Sequence, residues 1–300
     1  GCSDNDISSK AKNKISVPTF DKERAFKLLE QQVEIGPRYP GSAGQEPMIQ
    51  FMVENLKPYS DEVKIHRFSK DLGDIKLDMA NVVAIFNKDA KKWVLLAAHW
   101  DTRPIAEMEI KPEKQKQPIL GANDGASGVA VLLELARMFK EQPPEIGVFM
   151  ILFDGEDYGP TIDRMLLGSK YFASNLDKYL RVNDVKINLE YGILLDMVGD
   201  KDLKIYQEIE SKKAAPDIVE KVWNIAKELG YENIFIPETK YSIMDDHIPL
   251  IEKGIKCINI IDFDYAYWHT LEDTIDKCSP DSLFVVGNVV ANVIYRENSN

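Results

Sequence analysis

The sequence predicts an α/β protein, a three-layer αβα sandwich in which helices cover both faces of a central mixed, mostly parallel, twisted sheet. Two observations carry this prediction. Five short and nearly continuous apolar runs, typical of strands buried on both faces, lie at 79–86, 93–99, 148–154, 192–199 and 255–262. Apolar residues recur at helical spacing between several of these runs. Strands that alternate with helices in this way are typical of a sheet with helices on both faces.

The helices are predicted from the same spacing. Two of them precede the first strand and flank the turn-rich segment GPRYPGSAG at 36–44. The six predicted helices are 20–36, 44–56, 126–140, 164–177, 215–229 and 281–296.

Two connections carry predictions of their own. The strands 79–86 and 93–99 are close in sequence, so we expect them to form an antiparallel hairpin at an edge of the sheet. The charged segment 107–118 is predicted to be a solvated excursion between two motifs. No repeat and no long linker divides the chain, which predicts one domain over 19–300.

Composition excludes several classes of function. The 300 residues are 44% hydrophobic and 29% charged, with a formal net charge of −12. The negative charge argues against nucleic acid or an anionic membrane surface as a partner. No run of about 18 apolar residues is present to cross a membrane. We expect a monomer.

Residues 1–18 are predicted to be a flexible leader. Its first part, GCSDNDISSKAKNK, is polar and has no apolar periodicity. Cys2 resembles the lipid-attachment cysteine of a bacterial lipoprotein. This interpretation predicts a cleaved signal peptide, a location in the periplasm or at the outer membrane, and a lipid anchor as the only membrane contact. The alternative is an incidental exposed thiol. Cys257 and Cys278 could pair or remain free.

Polar residues follow several predicted strands, at the edge where α/β sheets bind ligands. Asp196 interrupts an apolar run, and an ionised carboxylate there is costly unless it is paired or bound to metal. Asp124 stands at the start of a helix. The other residues at strand ends are His99 and Asp101 in HWDTRP, Asp154, Glu156 and Asp157 in LFDGEDYG, and His269 in YWHT.

Several of these residues also have plain structural interpretations. Asp124 could cap the helix that follows it, and His99 could be a hydrogen-bonded structural histidine. Asp245, Asp246 and His247 in MDDHIP could cap a helix that begins there. Glu272 and Asp273 are predicted to be solvated, and Asp154 to orient the backbone.

Taken together, the set predicts a metal site. Three of the four histidines, His99, His247 and His269, lie in these motifs, and the chain has no cysteine cluster. Histidine with carboxylates suits Zn²⁺ with an open coordination position, whereas Mg²⁺ and Ca²⁺ prefer oxygen ligands alone. A divalent cation would also offset the repulsion among the acids of DGED.

The motifs HWDTRP, GANDGASGVAVLLELAR, FDGED, LLDMVG and WHT, in this order, resemble the zinc aminopeptidase fold. DGED, DDHIPLIEKGIKCINII and YWHT are similar to its glutaminyl cyclase branch in particular. The resemblance covers about 20–297. It implies a zinc enzyme that acts on the amino termini of peptides or proteins.

The resemblance also implies roles for residues. Asp124, Asp157 and His269 would hold one zinc ion, and Glu156 would transfer protons. Asp196 and Asp245 would form an acidic network with Glu156, and Trp268 would wall the substrate pocket. Two features depart from the pattern, because many relatives have Glu where this chain has Asp157, and DYGPTIDRM lacks the second pocket tryptophan of the animal enzymes.

The implied reaction converts an amino-terminal Gln to pyroglutamate and releases ammonia. The alternative is an aminopeptidase with two zinc ions, in which His99, a bridging Asp124 and Asp196 hold the second ion and Glu156 activates water. Asp245 and Trp268 favour the cyclase. A peptide-binding lipoprotein without catalysis is a third hypothesis, which the intact Glu156 argues against. GASG does not match the G-x-S-x-G elbow of a serine hydrolase.

Overall fold

The computed structural model describes residues 15–300. Cys2 and most of the predicted leader lie outside the described residues. Within 15–300 the strands are β1 (Glu62–Asp71), β2 (Lys76–Phe86), β3 (Trp93–His99), β4 (Gly147–Phe153), β5 (Arg181–Val182), β6 (Val185–Lys186), β7 (Leu189–Asp196), β8 (Ile205–Gln207), β9 (Phe235–Thr239) and β10 (Cys257–Ile261). The α-helices of the same range are α1 (Lys22–Ile35), α2 (Gln45–Leu56), α3 (Pro112–Gln115), α4 (Gly128–Glu141), α5 (Leu167–Ser174), α6 (Leu176–Tyr179), α7 (Ile209–Ala214), α8 (Pro216–Glu228), α9 (His247–Glu252) and α10 (Pro280–Arg296).

Six strands form one mixed sheet in the order β1-β2-β4-β3-β7-β10. β4, β3, β7 and β10 run parallel to one another, while β2 is antiparallel to both β1 and β4. Two further sheets, β5 with β6 and β8 with β9, have two strands each. The mixed, mostly parallel central sheet predicted from the sequence is confirmed.

The predicted hairpin of β2 and β3 is wrong. β4 lies between these two strands and pairs with both, so that Val148 is the partner of Phe86 on one side and of Val94 on the other. On its other side β2 pairs antiparallel with β1, a strand that no apolar run in the sequence predicts. β1 is an edge strand whose ten residues are all partly or fully exposed, so its sequence EVKIHRFSKD lacks a continuous apolar stretch.

Alternate residues of each central strand pack against different helical layers. In β3, Val94, Leu96 and Ala98 pack in the cluster that includes α1, α2, α4, α8 and α10. Trp93, Leu95 and Ala97 pack in a second cluster, on the opposite face, with residues of α5, α6 and α9. Because side chains alternate across a strand, both faces must be apolar, and the three-layer architecture is confirmed.

Among the described residues, no helix has both the length and the apolar character that a membrane span requires. Within residues 15–300, Cys257 and Cys278 form no disulfide, and both are buried.

Candidate metal centre and active site

The carboxyl ends of parallel strands bring the predicted site residues to one edge of the sheet. β3 ends at His99 and β7 ends at Asp196. The loop after β4 carries Glu156 and Asp157, and the loop after β10 carries His269. This edge is where open α/β sheets bind ligands.

Asp124 reaches the same edge from a turn rather than from a strand. The turn Ala122–Ser127 precedes α4, and Asp124 has non-helical dihedral angles within it (φ −107°, ψ 87°). Gly125 allows the turn to lie against β3, because a Cβ atom there would stand 2.7 Å from the His99 ring. The N-cap residue of α4 is Ser127, and the Asp124 carboxylate contacts His99 and His269.

Asp124, Asp157 and His269 form the first group of candidate metal ligands. Each is buried, and their ligand atoms lie within 4.8 Å of one another. His269 Nε2 is 3.0 Å from Asp157 Oδ2 and 3.4 Å from Asp124 Oδ2. One ion could therefore contact all three side chains.

His99, Asp124 and Asp196 form a second group of the same kind. His99 Nε2 lies 3.0 Å from Asp124 Oδ1 and 3.3 Å from Asp196 Oδ1. Asp124 thus presents one carboxylate oxygen to each histidine and joins the two groups.

A third buried group contains only carboxylates, those of Glu156, Asp196 and Asp245. Asp245 has a carboxylate oxygen within 4.8 Å of one oxygen of Asp196 and one of Glu156. Its Oδ2 accepts a hydrogen bond of 2.8 Å from Asn259 Nδ2, and its Oδ1 accepts one of 2.7 Å from the Asp246 backbone N–H. Asn259 lies on β10, so the sheet itself holds Asp245 toward Glu156.

Asp101 is hydrogen-bonded to the backbone of the loop that carries the acidic site residues. Its Oδ1 accepts from the Glu156 N–H at 3.1 Å, and its Oδ2 accepts from the Asp157 N–H at 3.0 Å. The same Oδ1 lies 3.2 Å from His99 Nδ1. Asp101 therefore fixes the backbone that carries Glu156 and Asp157, as well as the ring of His99.

Asp154 stands outside this group and orients backbone. It accepts hydrogen bonds from the N–H groups of Ala80 and Gly155 at 2.9 and 2.7 Å. His247, one of the histidines in the predicted motifs, donates to Glu208 at 2.7 Å and does not join the metal groups. Neither Asp245 nor Asp246 makes a side-chain capping bond to α9, where Asp246 is the N-cap residue.

The expectation that Asp273 is solvated is wrong. Its side chain is fully buried and accepts hydrogen bonds from the Asn123 and Asp124 N–H groups at 2.9 and 3.1 Å. Tyr265 also donates to it at 2.8 Å. Asp273 therefore holds the turn that presents Asp124. Its neighbour Glu272 is exposed, as expected, and the sequence contains no signal that separates these adjacent acids.

Sequence reasoning also missed Glu107. The segment 107–118 was predicted to be solvated, and Ile110 is indeed 94% exposed. Glu107, however, accepts a hydrogen bond of 2.7 Å from His269 Nδ1. Burial alone would raise the pKa of Glu107, but the hydrogen bonds from His269 and Arg103 lower it to about 2.

The electrostatics of the site favour a cation. Burial would lower the pKa of His269, yet the charge of Asp157 and the carboxylates of Asp124 and Glu107 around the ring raise it to about 12. Burial raises the pKa of Asp157 to about 6 despite the opposing effect of His269. Carboxylates that attract protons onto buried histidines this strongly would also attract a divalent ion in place of those protons.

Zinc fits the donor set. One imidazole and two carboxylates supply the three protein ligands that a catalytic zinc takes, with a position left for substrate. His99 Nδ1 faces Asp101 and His269 Nδ1 faces Glu107, so both rings point Nε2 toward the other ligands. Such carboxylate–histidine pairs are typical of metal-binding histidines.

A cavity of about 190 Å³ opens onto these groups. Trp268 lines it and stacks on the ring of His269, with centroids 3.9 Å apart. Met165 lines it as well, from the segment DYGPTIDRM that lacks a tryptophan. Met244 and Phe263, both partly exposed, complete an apolar rim.

The fold and these ligand groups define a zinc-exopeptidase-like metalloenzyme. The chain belongs to peptidase family M28, which it matches over residues 81–294.

Solved structures of similar proteins include glutaminyl cyclases and exopeptidases. The glutaminyl cyclase of Bacteroides thetaiotaomicron is 36% identical with a TM-score of 0.88, over 94% of this chain and 100% of that one. A Zn-dependent exopeptidase from Parabacteroides distasonis is 36% identical with a TM-score of 0.89, over the same shares. The glutaminyl-peptide cyclotransferase of Drosophila melanogaster is 25% identical over 83% of this chain and 75% of its own length. The resemblance predicted from the motifs is confirmed.

Proposed function

We propose that this protein is a zinc-dependent glutaminyl-peptide cyclotransferase, which converts the amino-terminal Gln of peptides or proteins to pyroglutamate and releases ammonia. One observation carries the proposal. The buried carboxyl groups of Glu156, Asp196 and Asp245 stand together beside the His269 ligand group, at the base of a cavity walled by Trp268.

The reaction needs proton transfer but no water. The α-amine of the substrate attacks its own γ-amide carbon, a ring C–N bond forms, and the bond to the amide nitrogen breaks. Glu156 accepts the proton that the attacking nitrogen loses and delivers one to the departing ammonia. Zinc held by Asp124, Asp157 and His269 would supply polarisation of the amide carbonyl.

Glu156 is suited to hold a proton between these steps. Burial and then repulsion from Asp157 raise its pKa well above the ordinary value, although His99 opposes the shift. Burial and Asp196 raise the pKa of Asp245 in the same direction. Adjacent carboxyl groups repel one another when all are ionised, so the group favours holding a proton, which a proton-transfer residue requires.

An aminopeptidase is the second candidate, because the group of His99, Asp124 and Asp196 could hold a further zinc ion. Solved relatives also include a leucine aminopeptidase precursor from Bacteroides thetaiotaomicron, which is 36% identical with a TM-score of 0.89 over 95% of this chain and 100% of that one. We favour the cyclase, because Asp245 stands beside Glu156 and Asp196 in the acidic group and Trp268 lines the cavity next to His269.

The test is incubation with a Gln-peptide and with Leu- and Ala-peptides. We expect ammonia from the first and no free amino acid from the others, with one zinc per chain by elemental analysis. Glu156→Gln is expected to lower kcat on the Gln-peptide by about 10²–10⁴-fold at unchanged zinc content. The control is Glu272→Gln, an exposed acid. Release of leucine with two zinc ions per chain would establish the aminopeptidase instead.

We also propose that the protein is a monomer in the bacterial cell envelope, anchored by a lipid on Cys2. A Cys2→Ser variant of the full chain should move from the membrane fraction to the soluble fraction of the envelope. Retention of that variant in the membrane fraction would refute the anchor.

A further inference from the structure

The segment 107–109, which begins three residues after the last residue of the HWDTRP motif, makes three hydrogen bonds to the loop that carries His269. Glu107 Oε1 accepts from His269 Nδ1 at 2.7 Å, and the Met108 N–H donates to the His269 carbonyl at 3.2 Å. Glu109 Oε1 accepts from the Leu271 N–H at 2.9 Å. Three consecutive residues thus hold both the ring and the backbone of one candidate metal ligand.

His269 needs such support because of where it lies. It has a left-handed backbone (φ 53°), which costs free energy for a residue with a side chain. It follows β10 by several residues and belongs to no strand or α-helix. Its position must therefore be fixed by contacts from elsewhere in the chain, and segment 107–109 supplies them.

Glu107 also connects His269 to a second ligand, Asp157. Arg103 donates to Glu107 through Nε at 3.2 Å and through Nη2 at 2.6 Å. The Nη1 group of the same guanidinium donates to Asp157 at its carbonyl (3.2 Å) and at Oδ1 (3.3 Å). Because His269 Nε2 lies 3.0 Å from Asp157 Oδ2, the four side chains form a closed ring of contacts.

This arrangement fixes the histidine tautomer. A carboxylate at Nδ1 can only accept a hydrogen bond, so the Nδ1 proton is held there and the Nε2 lone pair is left for the metal. Arg103 is 4% exposed, and its planar guanidinium group donates to Glu107 on one side and to Asp157 on the other. It therefore sets the distance between these two residues.

We propose that Glu107 is a positioning residue that, through His269 and Arg103, sets the zinc affinity of the site. The inference rests on the zinc binding in the proposed function, and it concerns a residue outside the set that holds the ion. Residues 110–118 have no part in it.

The experiment measures zinc affinity by competition with a chromophoric chelator. Glu107→Ala is expected to weaken zinc binding by about 10–100-fold, the range typical of losing a carboxylate that orients a histidine ligand. Glu107→Gln retains an acceptor for Nδ1–H, so its Kd should lie between those of the wild type and the Ala variant. The matched control is Glu113→Gln, an exposed acid in the wider stretch 107–118, which should bind zinc as the wild type does.

Two readouts separate positioning from a general structural role. The visible absorption of the cobalt-loaded protein should change in Glu107→Ala and be partly restored in Glu107→Gln. A Kd within threefold of the wild type in Glu107→Ala overturns the inference. If that variant does not fold, an unchanged Kd in Glu107→Gln overturns it. Failure of the wild type to bind zinc would instead refute the proposed function.

Discussion

Asp101 offers the sharpest test of how the site is held together. It is fully buried and accepts hydrogen bonds from two adjacent backbone N–H groups, those of Glu156 and Asp157. In Asp101→Asn one carboxylate oxygen becomes an NH₂ group of nearly the same size. Whichever oxygen is replaced, a donor then faces a backbone donor that no longer has a partner.

The magnitude follows from that mismatch. The lost hydrogen bond to a charged acceptor is worth about 1.5–3 kcal/mol, and an unpaired buried N–H costs about 1–3 kcal/mol more. Removing the charge also relieves repulsion, because Asp101 raises the pKa of nearby Asp154. We therefore expect the free energy of unfolding to fall by about 2.5–4 kcal/mol, in the lower part of the summed range. Cyclisation of Gln-peptides should fall too, because Glu156 and Asp157 lose their common anchor.

The assay is urea denaturation at pH 7 and a fixed zinc concentration. The control is Asp71→Asn, an exposed residue whose side-chain oxygen accepts from the Gly73 N–H at 2.8 Å. An asparagine retains that bond, so the control should change stability by less than about 0.5 kcal/mol. Equal stability of the two variants would refute the reasoning, because it would mean that the buried carboxylate does not carry the loop.

Two further predictions concern stability. Burial and hydrogen bonding to Asp200 raise the pKa of Asp262 to about 8, above its value in the unfolded chain. The contribution of Asp262 to the free energy of unfolding is therefore full at low pH and is lost as the pH rises toward 8. Asp200→Asn should therefore raise the free energy of unfolding by about 1–2 kcal/mol at pH 8 and by much less at pH 5, and equal effects would contradict this. Gly128→Ala favours a helix intrinsically, but its Cβ would lie 2.6 Å from the Leu195 carbonyl oxygen. We expect a net loss of about 1–3 kcal/mol by denaturation, and a gain in stability would contradict the contact.

Most of the fold could be predicted because buried strands must be apolar on both faces. β3, for example, is WVLLAAH, and all seven of its residues are buried between two helical layers. The edge strand β1 lacked this signal, because its exposed residues are free to be polar. The order of the strands could not be predicted either. β4 lies between β2 and β3 in the sheet, although it begins 48 residues after the end of β3 in the chain.

The candidate site divides in the same way. The sequence by itself determined which polar side chains stand at the ends of the strands, because a charged group there needs a ligand or a partner. His99, Asp196 and the acids after β4 all lie at one edge of the sheet. Only the tertiary structure decided what holds them. Asp273 and Glu107 look like solvated acids in the sequence, yet both hold parts of the site through contacts about 150 residues apart in the chain. Such partners leave no local pattern in the sequence. A hydrogen bond between distant residues constrains those two residues, but it does not constrain the residues next to them in the chain.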